Sequence, residues 1–389
     1  MLSPSSHATH IVLFWRIAAG FWRGSTARLA WVVSLLLVLC VGLQLYVQYK
    51  LNFWSRDFFN AVEQKNAALL WTLALTFVPL AASSLGLTLF ALWGKMTLAR
   101  EWRRWVSRRL YDAWLTNSRY RRLSDAPGEH QTPEIRIAED VRVATDLPAD
   151  LVLGLLSSVL TVTVFVGVLY SIGQGLELEV FGSQIHLPAY LVLAVTCYST
   201  LLTLTTVVIG RRLIGVIEHF KAAEAELRAA GTEVRTAGES PVPFHNPHES
   251  RSALYETLDR VVEHWRRLCR ELMRMTVVSH TNTLVAPSIG LLMCAPKYIA
   301  GTMTLGTMVQ AAAAFVVVQG AFNWFADNFG KFAEWASSAR RVASLVQSFE
   351  RLDDPELQSA DDPRDQIVDV ADGSLALQPT LRVPAQAAE

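Results

Sequence analysis

The sequence contains little charge and has no net charge. Only 18% of its 389 residues are Asp, Glu, Lys or Arg, and 35 basic side chains balance 35 acidic ones. No overall field would therefore recruit nucleic acid or another polyanion. Hydrophobic residues make up 51% of the chain, and the mean hydropathy is +0.27. This composition argues against an ordinary soluble protein of this size and predicts a membrane-embedded one.

Cysteine is scarce, and no cysteine or histidine pattern predicts a metal site. The four cysteines have no paired spacing that would indicate a disulfide framework or a zinc site. His245 and His248 stand three residues apart in a proline-rich loop, but a metal site normally needs three or four ligands. We predict neither a metal nor a cofactor.

The start of the sequence lacks the features of a secretory signal. The stretch HIVLFWRIAAGFWRG, residues 10–24, is interrupted by Arg16 and has no small-residue cleavage site. We interpret residues 1–28 as an amphipathic N-terminal elbow that lies on the inner face of the membrane.

Six apolar stretches meet or approach the length that a membrane-spanning helix needs. A hydrocarbon core of about 30 Å requires about 20 apolar residues, because backbone amides in lipid must bond within their own segment. The six stretches are 29–48, 68–93, 149–171, 189–209, 277–300 and 305–328. The fold class that we predict is an all-α membrane protein with six long transmembrane helices.

Lysine and arginine concentrate in two long connections, 94–147 and 211–276, whereas 172–188 has none. The positive-inside rule then places these connections and both termini in the cytoplasm. The stretch EWRRWVSRRLYDAWLTNSRYRRL, residues 101–123, mixes tryptophan with arginine. Nucleic-acid binding would use such residues, but we favour a helix leaving the membrane, with tryptophans at headgroup level and arginines reaching phosphates or water.

Both basic connections show helical periodicity. Apolar residues recur every three or four positions over 101–118 and again over 255–278. In the second segment, Glu256/Arg260 and Glu263/Arg267 are spaced for ion pairs on the polar face. We expect these helices to extend the spans into the cytosol, where they would form a coupling surface.

Several motifs resemble one known family. They include WRRWVSRRLYDAWL followed by TPEIRIAEDV, NFWSRDFFNAVEQKN after the first span, APKYIAGTMTLGTMVQ leading into the sixth, and FAEWASSARRVASL at its exit. These stretches are similar in order and spacing to the SbmA/BacA peptide-uptake proteins and to their relatives, the YddA-type and peroxisomal fatty-acyl ABC transporters. The resemblance covers roughly residues 15 to 350.

The resemblance implies an ABC-exporter-like transmembrane domain over 29–350, working as a homodimer. Relatives that use ATP continue into a nucleotide-binding domain with a P-loop, but this sequence contains no G-x-x-x-x-G-K-[ST] motif. We therefore expect no nucleotide-binding domain. Residues 351–389 are interpreted as a flexible cytoplasmic tail, in which DGSLALQPTLRVP resembles the beginning of such a domain.

The loop after the fourth span departs from the ATP-driven relatives. Arg235 and Glu239 are candidates for the coupling loop that seats in an ATPase. Pro241 and Pro243 follow directly, and they would remove amide donors and break a coupling helix. A standard ATPase contact is therefore not expected from this loop.

Polar residues inside the apolar stretches are the candidates for a transport cavity. On the sixth span, Gln319, Asn323 and Asp327 follow a helical spacing that Glu334 continues, and Gln310 precedes them; on the first span, Gln44 and Gln48 form a similar pair. Such groups are costly in lipid and should face a water-filled cavity or another helix. For the glutamines, both alternatives stay open, whereas Asp327 favours a functional role. Glu139 and Asp140 are expected to pair with Arg136 or Arg142 instead.

The sequence predicts a bacterial inner-membrane permease, not an enzyme, and the resemblance implies that it moves peptides or peptide-like amphipathic molecules. The resemblance also implies proton-coupled uptake by a homodimer, and the placement of the basic residues argues against a nucleic-acid partner. Two alternatives remain: an ABC permease subunit powered by a separately encoded ATPase, and a truncated transporter that serves as a membrane scaffold.

Overall fold

The fold was analysed in a computed structural model of the chain. The residues that it describes are 14–16, 18–24, 26–125, 133–173, 176–180, 183–187, 189–239 and 247–353. The DGSLALQPTLRVP stretch of the tail, the prolines of the coupling loop and His245 lie outside this part of the chain.

Six long helices dominate the described residues. We label them α1 (Ala27–Glu63), α2 (Ala67–Leu115), α3 (Val141–Ile172), α4 (Tyr190–Glu239), α5 (Pro247–Ile299) and α6 (Leu305–Asp353). Each covers one of the six apolar stretches, with only residues 189 and 300 lying just outside α4 and α5, and each is long and apolar enough to cross a membrane. Each helix also extends beyond its apolar stretch. In α2 and α6, for example, 49 residues of α-helix reach about 70 Å, whereas the hydrocarbon core is about 30 Å thick.

Shorter elements connect the long helices. A helical segment, Pro133–Ile135, continues through a π-helical turn, Arg136–Asp140, into α3. Between α3 and α4, two strands, β1 (Leu176–Val180) and β2 (Ser183–Leu187), pair antiparallel with Leu176 opposite Leu187. The predicted all-helical membrane fold is confirmed, and this hairpin is a local departure from it.

The larger of two compact units comprises Phe21–Trp102 and Ala144–Ala336. Its core is an apolar cluster contributed by α3, α4, α5 and α6, with Phe165, Leu169, Leu191 and Phe315 almost fully buried. Helices α4 and α5 pack against each other along their length. Ring contacts join them beyond the apolar stretches, where His219 stacks on His264 with ring centroids 6.2 Å apart.

The smaller unit comprises the described parts of Met1–Gly20, Arg103–Val143 and Ser337–Glu389. Its core is also apolar, with Phe14, Val106, Ile137 and Leu345 each at most 1% exposed. Arg16 forms an ion pair with Glu350, at 3.6 Å between Nη2 and Oε1. Within this unit, an N-terminal segment is therefore held against the end of α6.

Candidate transport pathway

The polar stripe predicted on α6 divides into a buried part and an accessible part. Gln319 is only 4% exposed, and its Oε1 accepts a hydrogen bond from Asn282 Nδ2 on α5 at 3.4 Å. Asn282 Oδ1 in turn accepts a bond of 3.0 Å from the Tyr198 hydroxyl on α4. Gln319 thus belongs to a polar chain that links three helices, and sequence reasoning missed Tyr198 because its partner lies 84 positions away.

The accessible part of the stripe contains the acidic residues. Asn323 donates from Nδ2 to Asp327 Oδ1 at 2.8 Å, one helical turn apart. Asp327 and Glu334 are both exposed on the single chain. The i, i+4 spacing read from the sequence therefore corresponds to a direct amide–carboxylate contact, while Glu334 lies two turns further along.

The glutamines of α1 differ in their surroundings. Gln44 donates from Nε2 to Thr88 Oγ1 on α2 at 3.0 Å, which makes it an interhelical contact. Gln48 is half-buried and makes no hydrogen bond within the described part of the chain. Its side chain is accordingly the more available of the two for a transported molecule.

Gln310 marks a buried junction between α1 and α6. It is 2% exposed, and its backbone oxygen accepts a hydrogen bond of 3.1 Å from Asn52 Nδ2. Gln310 Nε2 and Asn52 Oδ1 have no hydrogen-bond partner in the part of the chain described. Buried amides without partners are uncommon, which distinguishes this junction from the satisfied polar chain around Gln319.

The predicted coupling residues lie at the end of α4. Arg235 is exposed, and Glu239 is the last residue of the helix. The following residues, 240–246, are not described, so the expected effect of Pro241 and Pro243 stays a prediction. His248 is exposed near the start of α5.

Asp140 forms the predicted structural ion pair and a second one that sequence reasoning missed. Its Oδ2 lies 3.3 Å from Arg136 Nη1, four residues earlier. The same carboxylate pairs with Arg341 and accepts a bond of 3.2 Å from Ser338, both on α6. Glu139, by contrast, is exposed. The π-helical turn that carries Asp140 is therefore tied to residues about 200 positions away.

The tryptophan–arginine stretch is partly covered by neighbouring segments. Trp102 is 2% exposed and packs edge-to-face on Trp22, so its ring contacts protein. Arg103 and Arg122 donate to the backbone oxygens of Ala138 and Leu352, at 3.1 and 3.0 Å. The position of the other tryptophans at headgroup level stays a prediction, whereas the buried Trp102 ring has a structural role that the sequence did not indicate.

Metal ligands do not converge in the part of the chain described. No group of three or more His, Cys, Asp or Glu side chains there could hold a metal ion. The candidate pathway residues are instead amides, hydroxyls and carboxylates distributed over α1, α4, α5 and α6.

Comparison with known proteins identifies a family. The family model described as ABC transporter transmembrane region 2 matches residues 16–299. This match includes α1 to α5, the arginine-rich extension of α2 and the α4–α5 connection.

Individual relatives agree with that match. The chain is 25% identical over 338 residues to the inner membrane ABC transporter ATP-binding protein YddA of Escherichia coli (strain K12), covering 85% of this chain and 59% of the relative. It is 23% identical over 300 residues to an uncharacterized ABC transporter ATP-binding protein of Synechocystis sp., covering 77% and 43%. A Haemophilus influenzae protein with the same description is 22% identical over 324 residues, covering 83% and 54%. The chain thus spans about half the length of these relatives.

Proposed function

Because the chain belongs to the ABC transporter transmembrane region 2 family, we propose that it forms the membrane pathway of a transporter for peptides or peptide-like amphipathic molecules. The observation that carries the proposal is the Asn323–Asp327 pair on α6, in which the Asp327 carboxylate is exposed on a helix that begins as an apolar membrane-crossing one. Polar and charged groups are costly within the membrane, and they normally face a cavity or pathway. An amide and a carboxylate can bind peptide groups without requiring one side-chain shape.

A homodimer in the bacterial inner membrane is part of this proposal. Tyr255, Leu258, Trp265 and Met273 are exposed on the single chain. They precede the apolar stretch of α5, in the extension predicted to be cytosolic, where lipid would not cover them. Exposed apolar surface of this kind favours a protein partner, and a second copy related by two-fold symmetry is the commonest one. The description of the Escherichia coli relative as an inner membrane protein supports the location.

We propose the proton gradient as the energy source. Asp327 is the candidate proton carrier, since a carboxylate on a membrane helix can exchange a proton with either side when the pathway alternates. ATP is the second candidate, because the relatives are described as ATP-binding proteins and are about twice as long as the matched region. An ATPase in the same or a separate polypeptide would then contact the end of α4, near Arg235 and Glu239.

Peptide uptake by proteoliposomes tests the proposal. A fluorescent amphipathic peptide should accumulate when a proton gradient is imposed, and an uncoupler should abolish the accumulation while vanadate leaves it unchanged. The variant D327N should lose the pH dependence of uptake, whereas D259N, which removes an exposed carboxylate on α5, should retain it.

The other outcomes are equally informative. Uptake that requires ATP and is stopped by vanadate would replace the proton mechanism by the ATP-driven one. Wild-type pH dependence in D327N would remove Asp327 as the proton carrier. A failure of uptake with either energy source would leave the chain without a transport role and would favour the scaffold alternative.

A further inference from the structure

A cavity of about 400 Å³ lies where α1, α3 and α5 end and α6 begins. Two of the stretches that carried the family resemblance meet there: NFWSRDFFNAVEQKN supplies Arg56, and APKYIAGTMTLGTMVQ supplies Lys297 and Gln310. We call this space the basic cavity. It lies within the larger structural unit and contains none of the acidic pathway candidates.

Among the described residues that line the basic cavity, the charged ones are both basic. Arg56 and Lys297 line it, and this described lining includes no Asp or Glu side chain. Arg56 also bonds to Asp57, its neighbour in sequence, at 2.9 Å, but that carboxylate does not line the cavity. Two cations facing one partly enclosed space favour the entry of an anionic group.

Aromatic rings hold both cations in place. The Arg56 guanidinium lies 4.8 Å from the centre of the Phe53 ring, and Lys297 Nζ lies 5.5 Å from that of Tyr190. Such cation–π contacts restrict long side chains that would otherwise sample many rotamers in solvent. The cationic groups are therefore partly pre-organised, which lowers the entropic cost of binding a ligand.

Polar donors complete the lining. Thr304 and Thr307 hydroxyls lie 2.8 Å apart at the start of α6. Gln310 is the most deeply buried polar residue of the lining, at 2% exposed, and its Nε2 donor has no partner in the described part of the chain. A buried amide donor without an acceptor is a second and independent sign that a ligand acceptor belongs here.

We propose that the basic cavity binds a carboxylate of the transported molecule. Lys297 and Arg56 would donate charge-assisted hydrogen bonds to its oxygens, and Gln310 Nε2 and the threonine hydroxyls would supply neutral ones. The inference rests on the proposed function, since it names the group by which a peptide-like cargo is held at this end of the bundle. A free peptide carboxyl terminus meets this requirement, and a carboxyl-terminal amide does not.

A lipid headgroup phosphate is another oxyanion that could reach these donors. The two sources differ in what competes for the site. A cargo carboxylate predicts that amidation of the peptide weakens binding, whereas a lipid phosphate predicts that anionic lipid is retained irrespective of the peptide terminus.

Binding to the full chain in nanodiscs of zwitterionic phosphatidylcholine tests the inference. The probe is a fluorescent peptide without acidic side chains, prepared with a free carboxyl terminus and as the terminal amide. We expect the free form to bind about tenfold more tightly, as for a hydrogen-bonded charge. K297Q should remove this difference by weakening only the free form, and R56Q should act in the same direction. K50Q, which removes an exposed lysine of α1 outside the cavity, should preserve it.

Three results would overturn the inference. Equal affinity for the two peptides in the wild-type protein would show that no carboxylate is recognised. An equal loss for both peptides in K297Q and in R56Q would show that these residues act on the fold alone. In matched nanodiscs that also contain phosphatidylglycerol, retention of that lipid that depends on Lys297, without any effect of amidation, would assign the cavity to lipid.

Failure of the inference can be told from failure of the proposed function. Proteoliposome uptake that is identical for both peptides would contradict the carboxylate site and leave the transporter proposal intact. No binding and no uptake of either peptide would contradict both.

Discussion

Gly306 lies at the start of α6, directly against α1. Its amide donates to Asn60 Oδ1 at 2.9 Å, and the preceding amide of Leu305 donates to Glu63 Oε2 at 3.1 Å. These two side chains of α1 satisfy amide donors that the first turn of a helix leaves open. A Cβ at position 306 would collide with the backbone oxygen of Arg56 and with the Asn60 side chain.

The variant G306A is therefore expected to lower the free energy of unfolding by about 1–3 kcal/mol, because neighbouring backbone would have to move. G320A is the matched control on α6, where an added Cβ meets nothing within 4 Å. It should be neutral or stabilising, since alanine is a better helix former than glycine. Thermal unfolding in detergent measures both. Equal melting temperatures for the two variants would contradict the close α1–α6 contact.

The contacts of single residues were predicted from the sequence where spacing along one helix determines them. The Asn323–Asp327 contact follows from i, i+4 spacing, as does the Glu263–Arg267 pair. Arg260 shows the limit, because it pairs with Glu226 on α4 at 3.4 Å instead of with the expected Glu256. Periodicity does not indicate which neighbouring helix will offer a competing charge.

Among the structural elements, the π-helical turn before α3 depends on one buried carboxylate. Asp140 is 7% exposed and bonds to Arg136, Ser338 and Arg341. Removing one member of a buried charge network leaves the remaining partners unsatisfied. The turn and the end of α6 within the smaller unit are thus stabilised together.

We expect D140A to lower the free energy of unfolding by about 2 kcal/mol or more, given the value of hydrogen bonds to charged groups. E139A removes the adjacent but exposed carboxylate and should change stability by less than about 0.5 kcal/mol. Chemical unfolding of the two variants in the same detergent compares them. A similar small effect of both substitutions would show that the Asp140 network does not stabilise the turn.

The six long helices were predictable from the sequence because a helix that crosses the hydrocarbon core requires a long apolar run. All six runs lie in long helices, and the helical periodicity of the extensions also holds in α2 and α5. The β1–β2 hairpin was missed, since its alternating residues occupy a short connection in an otherwise helical pattern. The Asp140–Arg341 pair was missed because nothing in a single sequence links positions 201 apart.

For the whole molecule, the proposed homodimer predicts a specific surface. Trp265 is 56% exposed although it also packs on Phe220 of α4, with ring centroids 6.2 Å apart. A lysine there should weaken the association of two copies, because a charge would be buried in an apolar interface. S252K adds the same charge at an exposed polar position of α5 and should leave the dimer intact.

Light scattering of the detergent-solubilised protein measures this association. The wild type and S252K should have the protein mass of two chains, and W265K should shift toward the mass of one chain at the same concentration. A single-chain mass for the wild type would contradict the homodimer, and an unchanged dimer in W265K would place its interface elsewhere.

The central claim is that the chain crosses the membrane six times with its arginine-rich extensions in the cytoplasm. Cysteine accessibility tests it most directly, in a chain whose four cysteines are replaced by serine and which carries either Q64C, between α1 and α2, or S252C, near the start of α5. With a membrane-impermeant maleimide, Q64C should be labelled in intact inner-membrane spheroplasts and S252C only after lysis. Labelling of S252C in intact spheroplasts, or recovery of the chain in the soluble fraction, would contradict the account.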